Sequence, residues 1–181
     1  MQPRQTIEAF DRYLAERDLR LSAVVLGGAA LSLLGVITRA TADCDVMHPA
    51  IPPAVAAAAR AFAAERTASG EPLDAGWFNN GPASLASVLP PGWEERLRPL
   101  FAGAALELRC LGRADLLRSK LFALCDRALD LGDCMALAPT ATELAELTGW
   151  LEYQDANPEW PAHVRATLAD LARRLGHGVP A

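Results

Sequence analysis

The sequence predicts an α+β fold. Three observations carry that expectation. Residues 21–26 and 36–47 are strand-like apolar stretches, Val24 and Val25 among them, on either side of a helix-length segment. Leu106-Glu107-Leu108-Arg109-Cys110 alternates apolar and charged side chains, the two-residue period of a half-buried strand. Ile7, Phe10 and Leu14 instead recur at helical spacing, and residues 140–153 and 158–175 read as two further helices.

In chain order, residues 5–17 form an amphipathic helix, with Glu8, Asp11, Arg12 and Glu16 off the apolar stripe. Residues 21–26 form a buried strand that stops at Gly27-Gly28. Residues 29–34 are good helix formers, ended near Gly35. Residues 36–47 read as a second strand, closed by His48-Pro49. Residues 53–68 are alanine-rich and helical, with Pro52-Pro53 at the start, where proline is tolerated. Glycines, prolines and asparagines punctuate residues 69–92, a long irregular segment anchored by Trp77, Phe78 and Trp93. A third strand lies within 104–111 and ends at Gly112. A helix follows with Asp115 in its first turn and Lys120 and Arg127 along it. Thr140 or Thr142 can cap the helix at 140–153, and Asn157-Pro158 can start the last one. One compact unit is expected: a core over residues 1–135, with helices over 136–181 packed on it.

Composition narrows the function. A net charge of −5 argues against general DNA or RNA binding through a basic surface. The four cysteines, Cys44, Cys110, Cys125 and Cys134, form no Cys-x-x-Cys pair, so neither a zinc site nor a disulfide framework is expected. The start is polar and no signal peptide is visible. Residues 21–38 are uncharged but interrupted by glycines and serines, so no membrane span is expected and a cytoplasmic protein fits. Of 17 basic residues only Lys120 is lysine. In an arginine-using chain, a lone lysine suggests a site that needs a compact ammonium.

Two features carry chemistry. In an extended strand Asp43 and Asp45 share a face with Thr41, while Cys44 faces the core. Adjacent carboxylates repel unless a cation lies between them, and Mg²⁺ is held by one or two carboxylates together with substrate phosphates. Gly27-Gly28, between a strand and a helix, lets backbone approach a ligand closely. It is neither a Walker loop nor a dinucleotide fingerprint. An exposed acidic pair and a plain tight turn are the bland alternatives. Glu107 is the one acid in the third strand, hence the candidate for a third carboxylate, with a solvent-facing residue as the alternative. Asp130 and Asp133 are candidate substrate contacts or polar turn residues. His48, just past the acidic pair, reads as a strand-end histidine.

Gly27-Gly28, followed by Arg39-x-Thr41-x-Asp43-x-Asp45, resembles the first motifs of the DNA polymerase β-like nucleotidyltransferase superfamily. The chain is similar to small bacterial nucleotidyltransferase-like proteins related to abortive-infection and toxin–antitoxin nucleotidyltransferases. The Lys120 helix, Arg127, Asp130, Asp133 and Trp77-Phe78-Asn79 support that likeness. The resemblance implies a mixed sheet flanked by helices with a helical C-terminal part. It implies transfer of a nucleoside monophosphate from an NTP to a hydroxyl of RNA or protein. By analogy Asp43, Asp45 and Glu107 would hold two Mg²⁺ ions and carry catalysis. Gly27, Gly28, Thr41 and Lys120 would bind nucleotide, with Arg39, Arg127, Asp130 and Asp133 around them. Where many members carry serine after the first glycine, this chain has Gly28. Two other readings stand beside this one. The first is a non-catalytic interaction protein on the same fold, antitoxin or regulatory partner to a cognate protein. The second is a metal-dependent phosphohydrolase using Asp43, Asp45 and His48.

Overall fold

The computed structural model describes residues 1–177. The chain divides into two compact units, Met1–Gly112 and Arg113–Ala181. The division falls at Gly112, so the helix that carries Lys120 lies in the second unit.

The first unit holds α1 (Pro3–Ala15), β1 (Leu21–Leu26), α2 (Gly27–Leu33), β2 (Cys44–His48), α3 (Pro53–Ala68), β3 (Phe78–Asn79), β4 (Arg98–Ala102) and β5 (Leu106–Cys110). The strands form one five-stranded sheet in the order β3-β2-β1-β5-β4. β1 runs antiparallel to β2 and parallel to β5, β2 is parallel to β3, and β4 is antiparallel to β5. The sheet is therefore mixed and the fold α+β, as the sequence predicts.

One face of the sheet is the core. Leu21, Ala23 and Val25 of β1 meet Cys44 and Val46 of β2 and Leu106, Leu108 and Cys110 of β5 in one buried cluster. Ile7, Phe10 and Leu14 of α1 and Val55 and Phe62 of α3 complete it. Trp77 is fully buried in it, its ring 5.1 Å from Phe10 in an edge-on contact. Asp11 of α1 accepts backbone hydrogen bonds from Ala104, Ala105 and Leu106 at 3.0, 2.8 and 2.7 Å, tying the β4–β5 turn to the helix. Burial alone would raise its carboxyl pKa, but these three donors outweigh it and the net shift is downward.

The expected second strand, residues 36–47, is mostly not a strand. β2 begins only at Cys44. Gly35 takes φ +75° after α2, and the backbone N–H groups of Val36 and Ile37 donate back to Leu31. The amides of this stretch are thus drawn to the helix end and not to a ladder.

The second unit comprises α4 (Arg113–Arg127), α5 (Leu131–Leu137), α6 (Ala141–Glu152) and α7 (Trp160–Arg174). Leu117, Leu121, Leu144, Leu147, Leu151, Val164, Leu168 and Leu171 are among its buried apolar positions. Thr140 caps α6 in a reciprocal capping box with Glu143, and Arg113 holds Glu143 from α4 at 2.6 and 3.0 Å. That Arg113 hydrogen bond, with the Thr140 donors behind it, pulls the Glu143 carboxyl down to about 2. All four cysteines are free and buried. No described helix is long and apolar enough to cross a membrane.

Candidate nucleotide site

The site forms where β1 turns into α2. Gly27 takes φ +70°, a left-handed conformation that glycine adopts without strain. A Cβ at that position would stand 2.5 Å from Asp45 Oδ2. Position 27 must therefore be glycine on two grounds, its backbone angle and the carboxylate lying over it. Asp45 comes to that place because β2 pairs Asp45 with Leu26, the last residue of β1.

Gly28 faces the loop before β2. A Cβ there would stand 2.6 Å from Thr41 Cγ2 and 3.7 Å from the Arg39 guanidinium. The space a larger residue would need is filled by the Thr41 methyl. Thr41 is buried, and its hydroxyl donates to the Asp43 carbonyl at 3.2 Å. Asp43 itself precedes the strand, so it and Thr41 share a loop and not the strand row expected of them. Asp43 and Asp45 are half-buried on either side of fully buried Cys44. Burial, with the two neighbouring carboxylates behind it, pushes the Cys44 thiol far above its ordinary range, which keeps it a neutral core residue.

The third wall comes from β3. Asp45 pairs with Asn79 in the parallel β2–β3 register. Asn79 Oδ1 accepts from the Gly81 backbone N–H at 2.6 Å, and its amide donates to the Gly76 carbonyl at 3.3 Å. A Cβ on Gly81 would lie 2.8 Å from Asn79 Oδ1 and 3.7 Å from Asp45 Oδ1. The Asp45 carboxylate is thus flanked by Gly27 on one oxygen and Gly81 on the other. Asn80 fixes this wall: it accepts from Ile51 N at 2.8 Å and donates to the Val46 and Pro49 carbonyls at 2.9 and 3.1 Å. Trp77 anchors the entry through an indole bond to the Ala59 carbonyl at 3.1 Å. The sequence reading uses Asn79 in the Trp77-Phe78-Asn79 likeness and takes Asn80 and Gly81 as turn punctuation, with no site role for any of the three. Two consecutive asparagines before a glycine, next to a buried tryptophan, are the signal that marks them.

A chain match decides the family. Residues 5–136 match the family described as a nucleotidyltransferase of unknown function (DUF6036). The chain belongs to this family. No curated protein and no solved structure matches the chain. In this family member Asp45 neighbours Gly27, Thr41 and Arg39 neighbour Gly28, and Asp43 lies one residue before β2.

Glu107, expected as a third carboxylate, does not join them. It pairs with Ser22 near the start of β1, whereas Asp45 pairs with Leu26 at its end. Ser22 and Leu26 share a sheet face, but four residues of strand separate them by about 13 Å. Glu107 instead lines a depression of about 270 Å³ with Arg20, Ser22 and the β4–β5 turn. Among the described residues, no three His, Cys, Asp or Glu side chains cluster to hold a metal. Strand register thus sets Glu107 near the start of β1 and Asp45 at its end. His48 is exposed, with its ring edge-on to Trp93 at 6.3 Å.

In the second unit, Lys120 is closed in. Its Nζ lies 2.8 Å from Asp133 Oδ2 and 3.1 Å from Asp130 Oδ2, with Lys120 and Asp133 both buried. Arg127, at the end of α4, is exposed and pairs with Asp126 at 3.4 Å. The lone lysine does use its compact ammonium, here to satisfy two carboxylates at once.

Proposed function

We propose that this nucleotidyltransferase moves a nucleoside monophosphate from an NTP to a hydroxyl of RNA or protein, with Mg²⁺ accompanying the triphosphate. The observation that carries the reading is the Asp45 carboxylate seated over Gly27, with Gly81 on its other side, at the end of β1. Two carboxylates with substrate phosphates are the donor set that Mg²⁺ takes, so Asp43 and Asp45 fit one such ion. The ion would neutralise charge on the triphosphate. The chain's own part is to bind and orient. Gly27 lets the Asp45 carboxylate approach the start of α2, Gly28 admits the Thr41 methyl, and Arg39 beside Gly28 adds positive charge. A toxin–antitoxin setting belongs to the same proposal, since blocking an RNA or protein acceptor by nucleotidylation would arrest a cell.

The test is incubation with each α-labelled NTP and a mixture of cellular RNA and protein. Label enters an acceptor with the natural chain and not with Asp45→Asn, whose fold is verified by circular dichroism. Failure of all four NTPs to give an adduct refutes transfer. A second reading, a non-catalytic partner protein that keeps the nucleotide fold, is favoured by the absence of an acid opposite Asp45. It predicts NTP retention without transfer.

A further inference from the structure

We infer that the third side chain of this site is Asn79, and that the site therefore takes one divalent cation with the triphosphate, not two. The inference rests on the proposed nucleotide chemistry and adds to it the number of ions and the residue that sets that number.

The register makes the assignment. β2 and β3 pair Asp45 with Asn79, and residues paired across neighbouring strands present side chains on one face at about 5 Å. Both side chains border the space that a Cβ on Gly81 would occupy, Asn79 through its Oδ1 and Asp45 through its Oδ1. Asn79 is thus the side chain the sheet sets beside Asp45, and it is an amide.

A pair of divalent ions about 4 Å apart must be bridged and screened by anionic ligands. One ion can rest on the triphosphate together with one or two carboxylates. A second ion, with no share in the terminal phosphates, depends on carboxylates that the protein supplies for it. Asp43 and Asp45 would be the first ion's ligands, and Glu107 stands at the far end of β1. Asn79 offers a neutral oxygen that already accepts the Gly81 N–H. It has no charge to offset a second dication.

An Asn79→Asp substitution supplies that charge at the same place. Its carboxylate can still accept from Gly81 N–H, so the turn keeps its shorter bond and loses the weaker one to the Gly76 carbonyl.

The experiment is electron paramagnetic resonance of Mn²⁺ titrated into the whole chain with the α,β-methylene analogues of ATP, GTP, CTP and UTP in turn. The natural chain should bind one Mn²⁺ per bound nucleotide, with the spectrum of an isolated ion. Asn79→Asp should bind two and give the spin-coupled spectrum of an ion pair. A coupled pair in the natural chain overturns the inference while leaving the nucleotide reading intact. An isolated ion in both proteins overturns the assignment of Asn79 as the limiting residue. If no analogue is retained by the natural chain, the proposed function fails and this inference with it. Should Asn79→Asp not fold, the natural chain's spectrum alone decides the ion count.

Discussion

Gly28→Ala tests whether the wall between Gly28 and Thr41 is as tight as its geometry implies. The new Cβ would stand 2.6 Å from Thr41 Cγ2, roughly 1 Å inside the normal separation of carbon atoms. Thr41 is buried, and its hydroxyl is held by the Asp43 carbonyl. Rotating the methyl away therefore breaks a hydrogen bond. Overpacking of this kind costs about 1–3 kcal/mol. Gly28 lies in α2, so alanine returns at most about 1 kcal/mol of helix propensity. The net loss should be about 1–2 kcal/mol. Thr41→Ser alone removes the buried methyl and costs about 1 kcal/mol. In the double variant the alanine methyl occupies the vacated space, and the next atom, Thr41 Cβ, is an acceptable 3.4 Å away. The double variant should fall within about 0.5 kcal/mol of the natural chain, a coupling of about 2 kcal/mol between two touching residues. Urea unfolding followed by circular dichroism, and by tryptophan fluorescence to check that the transitions coincide, measures it. Single-variant losses that simply add would refute the contact.

Three further perturbations probe other parts of the chain. Lys120→Met leaves the buried Asp133 carboxylate without its ammonium and should cost about 3–5 kcal/mol in thermal or urea unfolding, while Lys120→Met with Asp133→Leu should recover much of that. Glu143→Gln keeps the geometry of the α6 cap but removes the charge facing Arg113, and at neutral pH should lose about 0.5–1 kcal/mol, since Arg113 is half exposed to solvent. The Glu143 pKa is depressed on folding, so its contribution is fully present above its unfolded value near 4.5 and fades as pH falls toward about 2. The stability difference between Glu143→Gln and the natural chain should vanish across that window. Asn80→Ala removes the bonds to Ile51, Val46 and Pro49, and should lower stability by about 1–3 kcal/mol. It should also weaken nucleotide retention in equilibrium dialysis, because Asn80 holds the wall that carries Asn79 and Gly81.

Local signals explain which elements were legible. Residues 53–68 read as a helix and α3 spans the same residues, because prolines start it and a long alanine run sustains it. β5 was legible from its alternation, and the structure buries Leu106, Leu108 and Cys110 while exposing Glu107 and Arg109. β4 was not. Its Pro99 speaks against a strand, and such a proline is accommodated only because β4 lies at the sheet edge, with a register shift between Pro99 and Phe101. The second strand was overextended because Val36 and Ile37 look β-forming, whereas their amides go to the end of α2.

The site divides along the same line. Gly27, Gly28, Arg39, Thr41 and Asp45 lie within twenty residues, so turn chemistry and one antiparallel pairing suffice to assemble them. Asn79 reaches the site through a two-residue strand, too short to show any period. Ladder bonds over two residues cannot fix a register by themselves. Here the register is set by side chains: Trp77, buried and bonded to α3, and Asn80, bonded on three sides to the end of β2 and the turn beyond it. Glu107 fails for the converse reason. Its strand and its facing were both legible, but a parallel pairing of β5 with β1 places the second residue of one beside the second residue of the other, away from the Gly27 turn. Period tells which face a carboxylate takes, and only register tells which end. In this chain the end decides that Asp45 is met by an amide and not by an acid.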